Sequence, residues 1–134
     1  MMNLKEIKQK SIIYLQPKFA REYDEAMRYP MFKDMSVDEW VKFCNTGFEM
    51  RMLNYLFGQV NNTEGTSVES AKANFDKLDP DKIKRFKNSY EMGIIEMPII
   101  LRQGKMSYEL IAGNTRFTGL VALGYEPHVW LIQL

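Results

Sequence analysis

The sequence contains almost no cysteine or histidine. Cys44 and His128 are the single examples of their kinds among 134 residues, so an internal disulfide and a cysteine-based metal cluster are excluded. One thiol and one imidazole far apart in the sequence are not expected to form a nucleophile–base pair or a zinc site. Cys44 lies within Trp40–Asn45, a mixed helical segment, and we expect it to be a small buried apolar residue.

Long apolar runs and a dominant charge are also missing. No apolar stretch approaches the roughly 20 residues that span a bilayer, and residues 1–10 are charged throughout and have no signal-peptide core. We therefore expect an intracellular, cytoplasmic protein with no membrane partner. The net charge is +1, from 18 basic and 17 acidic residues. Any contact with DNA would consequently depend on a local basic patch.

The sequence does contain enough apolar residues for a folded core. Hydrophobic residues make up 46% and charged residues 26%, which is ordinary for a globular protein. Ten methionines and many aromatic residues lie largely at helical spacing in the N-terminal half, which favours core packing over a cofactor site. We expect residues 1–70 to form a helical extension packed against the remainder, in one compact unit.

Several N-terminal segments have helical patterns. Lys18–Arg28 places its apolar residues on one face, and Ser36 with Glu39 forms a capping box before another apolar run. After an interruption at residues 45–47, apolar residues from Met50 to Phe57 continue in the same manner. Ser11–Leu15 is compatible with either a helix or a short strand.

The polar stretch Gly58–Glu69 is rich in Asn, Thr and Gly and is typical of a loop. A polar loop of this length is either a flexible connector or a functional element. In the second case it would act as a lid that supplies Asn62, Thr63 or Glu64 to a ligand. The sequence leaves both interpretations open.

A basic helix and three strands are expected after this loop. Asp79 caps a helix, Pro80 occupies its first turn, and Gly93 ends it. Its outward-facing basic residues form either a DNA-binding patch or a solvated surface: Lys82, Lys84, Arg85 and Lys87. Strands are predicted over Pro98–Leu101, Met106–Ala112 and Val129–Leu134, with a hairpin turn at Gln103–Lys105.

The turn between the second of these strands and the helix that follows has features of a phosphate site. Gly113 permits a tight turn and a close approach of ligand to backbone, and Asn114 is a preferred N-cap residue. The first amides of a helix lack intrahelical partners, and Arg116 in the first turn can hold two phosphate oxygens. The residues alone also allow a plain structural turn with a solvated arginine, because short motifs of this kind often occur by chance.

The order of motifs resembles the ParB/sulfiredoxin fold. The resemblance covers about residues 75–134, and the segments that carry it are Leu78–Ile83, Gly93–Ile99, Pro98–Gly104, Tyr108–Arg116, Ala122–Gly124 and Val129–Ile132. It implies an α+β protein in which residues 71–134 form a small mixed-sheet module behind the helical extension. It also implies that the Gly-x-x-Arg turn, here residues 113–116, binds nucleotide phosphates.

Individual residues indicate which activities of this superfamily are expected for this chain. Sulfiredoxin has Cys and His where this chain has Asn114 and Thr115, so its sulfur chemistry is not expected. Chromosome-segregation ParB proteins continue into a helix-turn-helix domain, whereas this chain ends at Leu134. The other relatives include free-standing nucleotide binders, small kinases, proposed nucleases and phage-encoded proteins with Gly-Asn-Thr-Arg, which makes a phage-encoded protein in a bacterial host our expectation.

The first functional hypothesis is a nucleotide-binding phosphotransferase, such as a kinase, or a nucleotide hydrolase. Gly113, Asn114 and Thr115 would bind the phosphates of a nucleoside di- or triphosphate. Arg116 would stabilise the transferring group, and Mg²⁺ would bridge phosphate oxygens. The candidate bases or metal ligands, in no order, are Glu96, Glu109 and Glu64.

The second hypothesis is a non-catalytic DNA- or protein-binding module that uses the basic helix and holds a backbone phosphate in the same turn. A nuclease is the third, since the sequence shows no cluster of carboxylates for metal binding. The acceptor, the nucleotide base and the oligomeric state are left open.

Overall fold

A computed structural model describes residues 10–61, 67–105 and 107–134. The strands are β1 (Ile13–Leu15), β2 (Phe48–Arg51), β3 (Val60–Asn61), β4 (Ile94–Glu96), β5 (Ile99–Gln103), β6 (Ser107–Ala112) and β7 (His128–Gln133). The α-helices are α1 (Tyr23–Ala26), α2 (Val37–Cys44), α3 (Val68–Asn74), α4 (Pro80–Met92) and α5 (Asn114–Ala122). Short 3₁₀ helices occupy Phe19–Glu22, Pro30–Phe32, Asn54–Gln59 and Phe75–Lys77. The expected α+β class is confirmed.

The centre of the fold is a mixed five-stranded sheet with the order β2-β7-β5-β6-β3. Strand β5 is antiparallel to β6 and parallel to β7. The outer strands repeat this mixture, since β2 is antiparallel to β7 and β3 is parallel to β6. Strands β1 and β4 form a separate parallel pair.

Both faces of the main sheet are covered, and β5 shows this clearly. Ile100 packs with Phe117 of α5 on one face, whereas Ile99 and Leu101 pack with Trp40 of α2 on the other. All five side chains are fully buried. Successive strand residues point to opposite faces, so the continuous apolar run in β5 is explained by helices on both sides.

The N-terminal half contains more strand than the sequence indicated. The capping box between Ser36 and Glu39 is confirmed at the start of α2. The helical expectation from Met50 onward is wrong where β2 pairs with β7, and it is met only by the 3₁₀ helix that follows. Gly47 allows this pairing, since a Cβ there would lie 2.6 Å from the carbonyl oxygen of Leu131.

Two strands from the expected helical extension belong to the main sheet. Strands β2 and β3 both precede residue 70, whereas β5, β6 and β7 follow it. The main sheet is therefore built from both of the predicted segments, residues 1–70 and 71–134. The described ends of the predicted loop Gly58–Glu69 form regular structure. The segment contains β3 at its start, and Ser67 forms a capping box with Ser70 at the beginning of α3. Residues 62–66 lie outside the described part of the chain.

The C-terminal half follows the sequence prediction closely. Asp79 caps α4, and Gly93 ends it in a left-handed conformation with φ +72°. The hairpin pairs Gln103 with Ser107, and β7 confirms the final strand. The open choice for Ser11–Leu15 is decided by β1, which pairs with the unexpected strand β4.

No helix in the described parts of the chain has the length and apolar character needed to cross a bilayer.

Candidate functional site

The predicted strand–turn–helix unit is present at residues 112–116. Strand β6 ends at Ala112, and α5 begins at Asn114. Gly113 takes the N-cap position with φ +89°, so the prediction that Asn114 is the N-cap is wrong. Asn114 is instead the first helical residue, and its Oδ1 accepts a hydrogen bond of 3.4 Å from Thr118. Gly113 has no side chain with which to cap the start of α5.

The space above Gly113 is occupied by the chain itself. A Cβ at this position would lie 2.6 Å from Nη2 of Arg116 and 2.9 Å from Cα of Pro98. The arginine therefore folds back over its own turn, where the sequence analysis expected a ligand to approach. Gly113 is required for the left-handed backbone and for this close packing.

Arg116 is held by a carboxylate that the sequence analysis did not select. Its Nη2 lies 3.3 Å from Oε1 of Glu22, and the two side chains are 24% and 10% exposed. Nε of Arg116 is buried without a hydrogen-bond partner within the described structure. The Arg116 side chain is therefore not turned into bulk water. Its hydrogen-bonding capacity is not fully used, because one of its buried donors has no acceptor among the described residues.

These residues line a cleft of about 700 Å³ between the α1 region and α4. The turn residues Gly113, Asn114, Thr115 and Arg116 form one end of it. Its cationic side chains are Arg21, Lys82, Arg85 and Arg116, and its carboxylates are Glu22, Asp24, Glu25, Asp79 and Glu96. Several are paired: Arg21 with Glu96, Lys82 with Glu25 at 3.3 Å, and Arg116 with Glu22. The cleft is therefore polar and of mixed charge.

Glu96 lies in this cleft and is held as a carboxylate. It accepts hydrogen bonds from Arg21 and from the Lys18 amide, the latter at 3.0 Å. Burial tends to raise the pKa of Glu96, but these hydrogen bonds and the charges of Arg21 and Arg116 outweigh it and lower the pKa. A carboxylate with a lowered pKa is a weak general base, so Glu96 is better suited to binding a cation.

Glu109 lies in a neighbouring cleft of about 320 Å³, and its Oε2 accepts a hydrogen bond of 2.8 Å from Asn61. The two clefts share Glu25, Lys82 and Asn114. The structure thus brings Glu96 and Arg116 into one cleft and places Glu109 in the next one. The remaining candidate, Glu64, lies outside the described residues, as do Asn62 and Thr63.

The four basic residues of α4 are exposed as expected, but they do not all lie on the same surface. Lys82 and Arg85 line the large cleft, whereas Lys84 and Lys87 do not. Lys82 is also paired with Glu25. This distribution divides the predicted basic patch between the cleft and the outer surface.

Sequence reasoning missed Glu22, although a signal for it was present. Phe19, Tyr23 and Ala26 lie on one face of the predicted helix, and Glu22 falls on that same face. Glu22 is 8% exposed in the structure. Buried carboxylates are paired in most proteins, so a glutamate within an apolar helical face indicated a cationic partner.

The single cysteine and histidine lie outside this cleft. Cys44 is fully buried, as expected, and burial raises the pKa of its thiol to about 12. His128 contacts Glu49 and stacks on Tyr14 with ring centroids 4.5 Å apart. In the described structure no three His, Cys, Asp or Glu side chains are grouped closely enough to hold a metal ion by themselves.

Comparisons with protein-family models, curated proteins and solved structures found no match to this chain. The resemblance to the ParB/sulfiredoxin fold therefore stays a prediction from the motifs.

Proposed function

We propose that the large cleft binds the phosphate groups of a nucleoside di- or triphosphate as its Mg²⁺ complex, in a protein of the ParB/sulfiredoxin type. The observation that carries the proposal is the position of Arg116. Its guanidinium lies over the N-terminus of α5, inside a cleft of about 700 Å³, with a buried donor that has no described acceptor. Helix N-termini and arginine forks both favour phosphate oxygens.

Phosphate binding requires an exchange of partners at Arg116. In the structure Glu22 accepts from Nη2 at 3.3 Å, which is longer than a strong charge-assisted hydrogen bond. A phosphate oxygen offers the same charge together with additional acceptor atoms for the α5 amides. The carboxylate of Glu22 therefore holds the place of the ligand in the free protein, and the ligand displaces it.

The mixed charge of the cleft favours a metal–nucleotide complex over a bare polyphosphate. Carboxylates outnumber cations among its lining residues, and they would repel an uncompensated polyphosphate. Mg²⁺ is commonly held by one or two carboxylates and by the phosphates of its substrate. Glu96 and Asp24 are the proposed ligands, because both line the cleft and Glu96 stays ionised.

The proposed reaction is phosphoryl transfer to a hydroxyl group or to water. Arg116 and the α5 amides would stabilise charge on the transferring group. The adjoining cleft that contains Glu109 meets the large cleft at Asn114. It would place the acceptor near the phosphate, with Glu109 as its candidate base.

Isothermal titration with ADP, ATP and CTP, with and without Mg²⁺, tests binding. The variant Arg116→Ala should abolish it. Arg102→Ala is the matched control, since Arg102 lies on β5 and its guanidinium donates to the turn carbonyls of Gly104 and Lys105, outside the large cleft. Equal binding by wild type and Arg116→Ala, or no binding of any nucleotide by the wild type, would contradict the proposal.

The structure gives less support to DNA binding. The basic residues of α4 are divided between two surfaces, and Lys82 is neutralised by Glu25. Affinity for DNA that falls steeply with salt would reopen this alternative, because release of counterions makes phosphate-backbone binding strongly salt-dependent.

A further inference from the structure

Strand β2 forms one edge of the main sheet. It pairs with β7 on one side, and no strand within residues 10–61, 67–105 or 107–134 pairs with its other side. Natural sheets protect their edges with lysine, proline, bulges or covering segments. The strand Phe48-Glu49-Met50-Arg51 contains neither lysine nor proline, and its register with β7 is regular.

The direction of its backbone groups can be assigned from the neighbouring hydrogen bond. The amide of Met52 donates to the carbonyl oxygen of Pro127 at 2.8 Å, in the register that continues the β2–β7 ladder. In an antiparallel pair, alternate residues direct both their N–H and C=O groups to the same neighbour. Met50 and Phe48 therefore bond to β7, and the backbone groups of Glu49 and Arg51 face outward.

We propose that β2 pairs antiparallel with β2 of a second copy of this chain, about a two-fold axis at Met50. In this register Glu49 lies opposite Arg51 of the second copy, and both residues direct their outward-facing backbone groups at each other. The two symmetric pairs form main-chain hydrogen bonds of the closely spaced type. A two-fold contact of this kind is self-complementary.

The side chains support this register over others. Glu49 and Arg51 are on the same face of the strand. Their side chains contact His128 and Glu126 of the same chain but stay 46% and 59% exposed, so each can also face a second copy. Opposite charges directly across an antiparallel pair are favourable, and like charges are unfavourable. In the proposed register both cross-strand pairs are opposite in sign. A shift by two residues would remove both complementary pairs and place either Arg51 opposite Arg51 or Glu49 opposite Glu49 of the second copy.

Apolar contact adds to the pairing. Phe48 is 47% exposed, although it lies on the face of the sheet that contains the buried Met52. In the proposed register Phe48 lies opposite Met52 of the second copy. Dimerisation would thus cover an aromatic side chain that the single chain leaves in water.

Sedimentation equilibrium over a micromolar to near-millimolar range tests the proposal. The wild type should show a concentration-dependent monomer–dimer equilibrium. Glu49→Arg and Arg51→Glu should each weaken it by about tenfold, because each change creates two like-charge pairs. The double variant with both changes restores the opposite pairs and should dimerise like the wild type. Lys87→Glu, an exposed charge reversal on α4, is the control and should have no effect.

Heterodimer formation in a mixture of the two single variants is the most specific test of the register. Glu49→Arg presents two basic residues and Arg51→Glu two acidic ones, so they should form a heterodimer more readily than either forms a homodimer. Circular dichroism verifies that each variant is folded. A wild type that stays monomeric throughout overturns the proposal. So does a dimer that is insensitive to both single variants, or a mixture that shows no preference for the heterodimer.

Discussion

Arg116 and Glu22 are 94 positions apart in the chain, and their side chains meet at 3.3 Å on the wall of the large cleft. The contact joins the first turn of α5 to the 3₁₀ turn before α1. It places a guanidinium above the N-terminus of a helix whose N-cap residue is a glycine, and it supplies that guanidinium with a carboxylate partner. The free protein therefore holds its candidate phosphate-binding group in position through an internal anion.

Removal of this internal anion should strengthen phosphate binding. In Glu22→Gln the side chain keeps its shape and one acceptor oxygen, but it no longer carries the charge that competes for Arg116. We expect about tenfold tighter binding of ADP in the absence of Mg²⁺, measured by isothermal titration. Glu91→Gln removes a carboxylate from an exposed ion pair with Lys10 and should leave the affinity unchanged. Weaker binding by Glu22→Gln would show that Glu22 contacts the ligand directly.

Gly113→Ala should destabilise the protein and abolish phosphate binding. An added Cβ meets the guanidinium of Arg116 and the backbone of Pro98, and alanine is strained at φ +89°. We expect a loss of about 3 kcal/mol in the free energy of unfolding, measured with urea. Gly104→Ala is the matched control, since its φ is +69° with nothing within 4 Å of the added atom. It should lose only about 1 kcal/mol for the backbone strain. Equal losses in the two variants would show that the close packing over Gly113 does not contribute to the free energy of unfolding.

The parts of the fold that the sequence predicted correctly are those with strong local signals. Asp79–Pro80 and Gly93 determine the ends of α4 through capping and a left-handed residue, and Gly104 marks the hairpin. These signals act within a few residues, so they can be recognised from the local sequence without the rest of the chain. The strand–turn–helix unit at Gly113 is of the same kind.

The parts that the sequence did not reveal depend on distant partners. Strand β2 forms because β7 supplies its ladder, and β1 because β4 does; both are too short to have a clear period of their own. The site has the same character. Arg116 could be selected from its turn, but its partner Glu22 is brought to it only by the packing of the α1 region on the sheet.

The ion pairs of Glu96 predict a loss of stability in acid. The pKa of Glu96 is lower in the folded state than its ordinary value, because hydrogen bonds from Arg21 and Lys18 outweigh the effect of burial. The folded protein therefore binds fewer protons at this group than the unfolded chain. Its contribution is present above the ordinary glutamate pKa of about 4.3 and declines as the pH falls through the folded-state value.

Urea unfolding of the wild type and of Glu96→Gln measures this contribution. We expect the wild type to be the more stable protein at neutral pH, and the difference to shrink below about pH 4.3. Glu91→Gln, at an exposed ion pair with Lys10, should show little difference at any pH. A gap between wild type and Glu96→Gln that is constant with pH would mean that the pair with Arg21 does not stabilise the fold.

Gly119→Ala should destabilise the protein, although alanine is the better helix former by about 1 kcal/mol. A Cβ at Gly119 would lie 2.4 Å from the ring of Phe86, so α4 and α5 could not keep their present separation. The ring cannot turn aside easily, because it is 4% exposed and packs against Phe75 and Tyr90. We expect a net loss of about 2 kcal/mol in the free energy of unfolding.

The same substitution should also weaken nucleotide binding. Phe86 and Arg116 line the same cleft, one from α4 and one from α5, and a wider gap between the helices separates the groups that would grip the ligand. Gly58→Ala is the control, since an added Cβ meets nothing within 4 Å there, and its stability should change by less than about 0.5 kcal/mol. Wild-type affinity in a measurably destabilised Gly119→Ala protein would show that the α4 wall is dispensable, and that the turn at Gly113 with Arg116 binds phosphate without it.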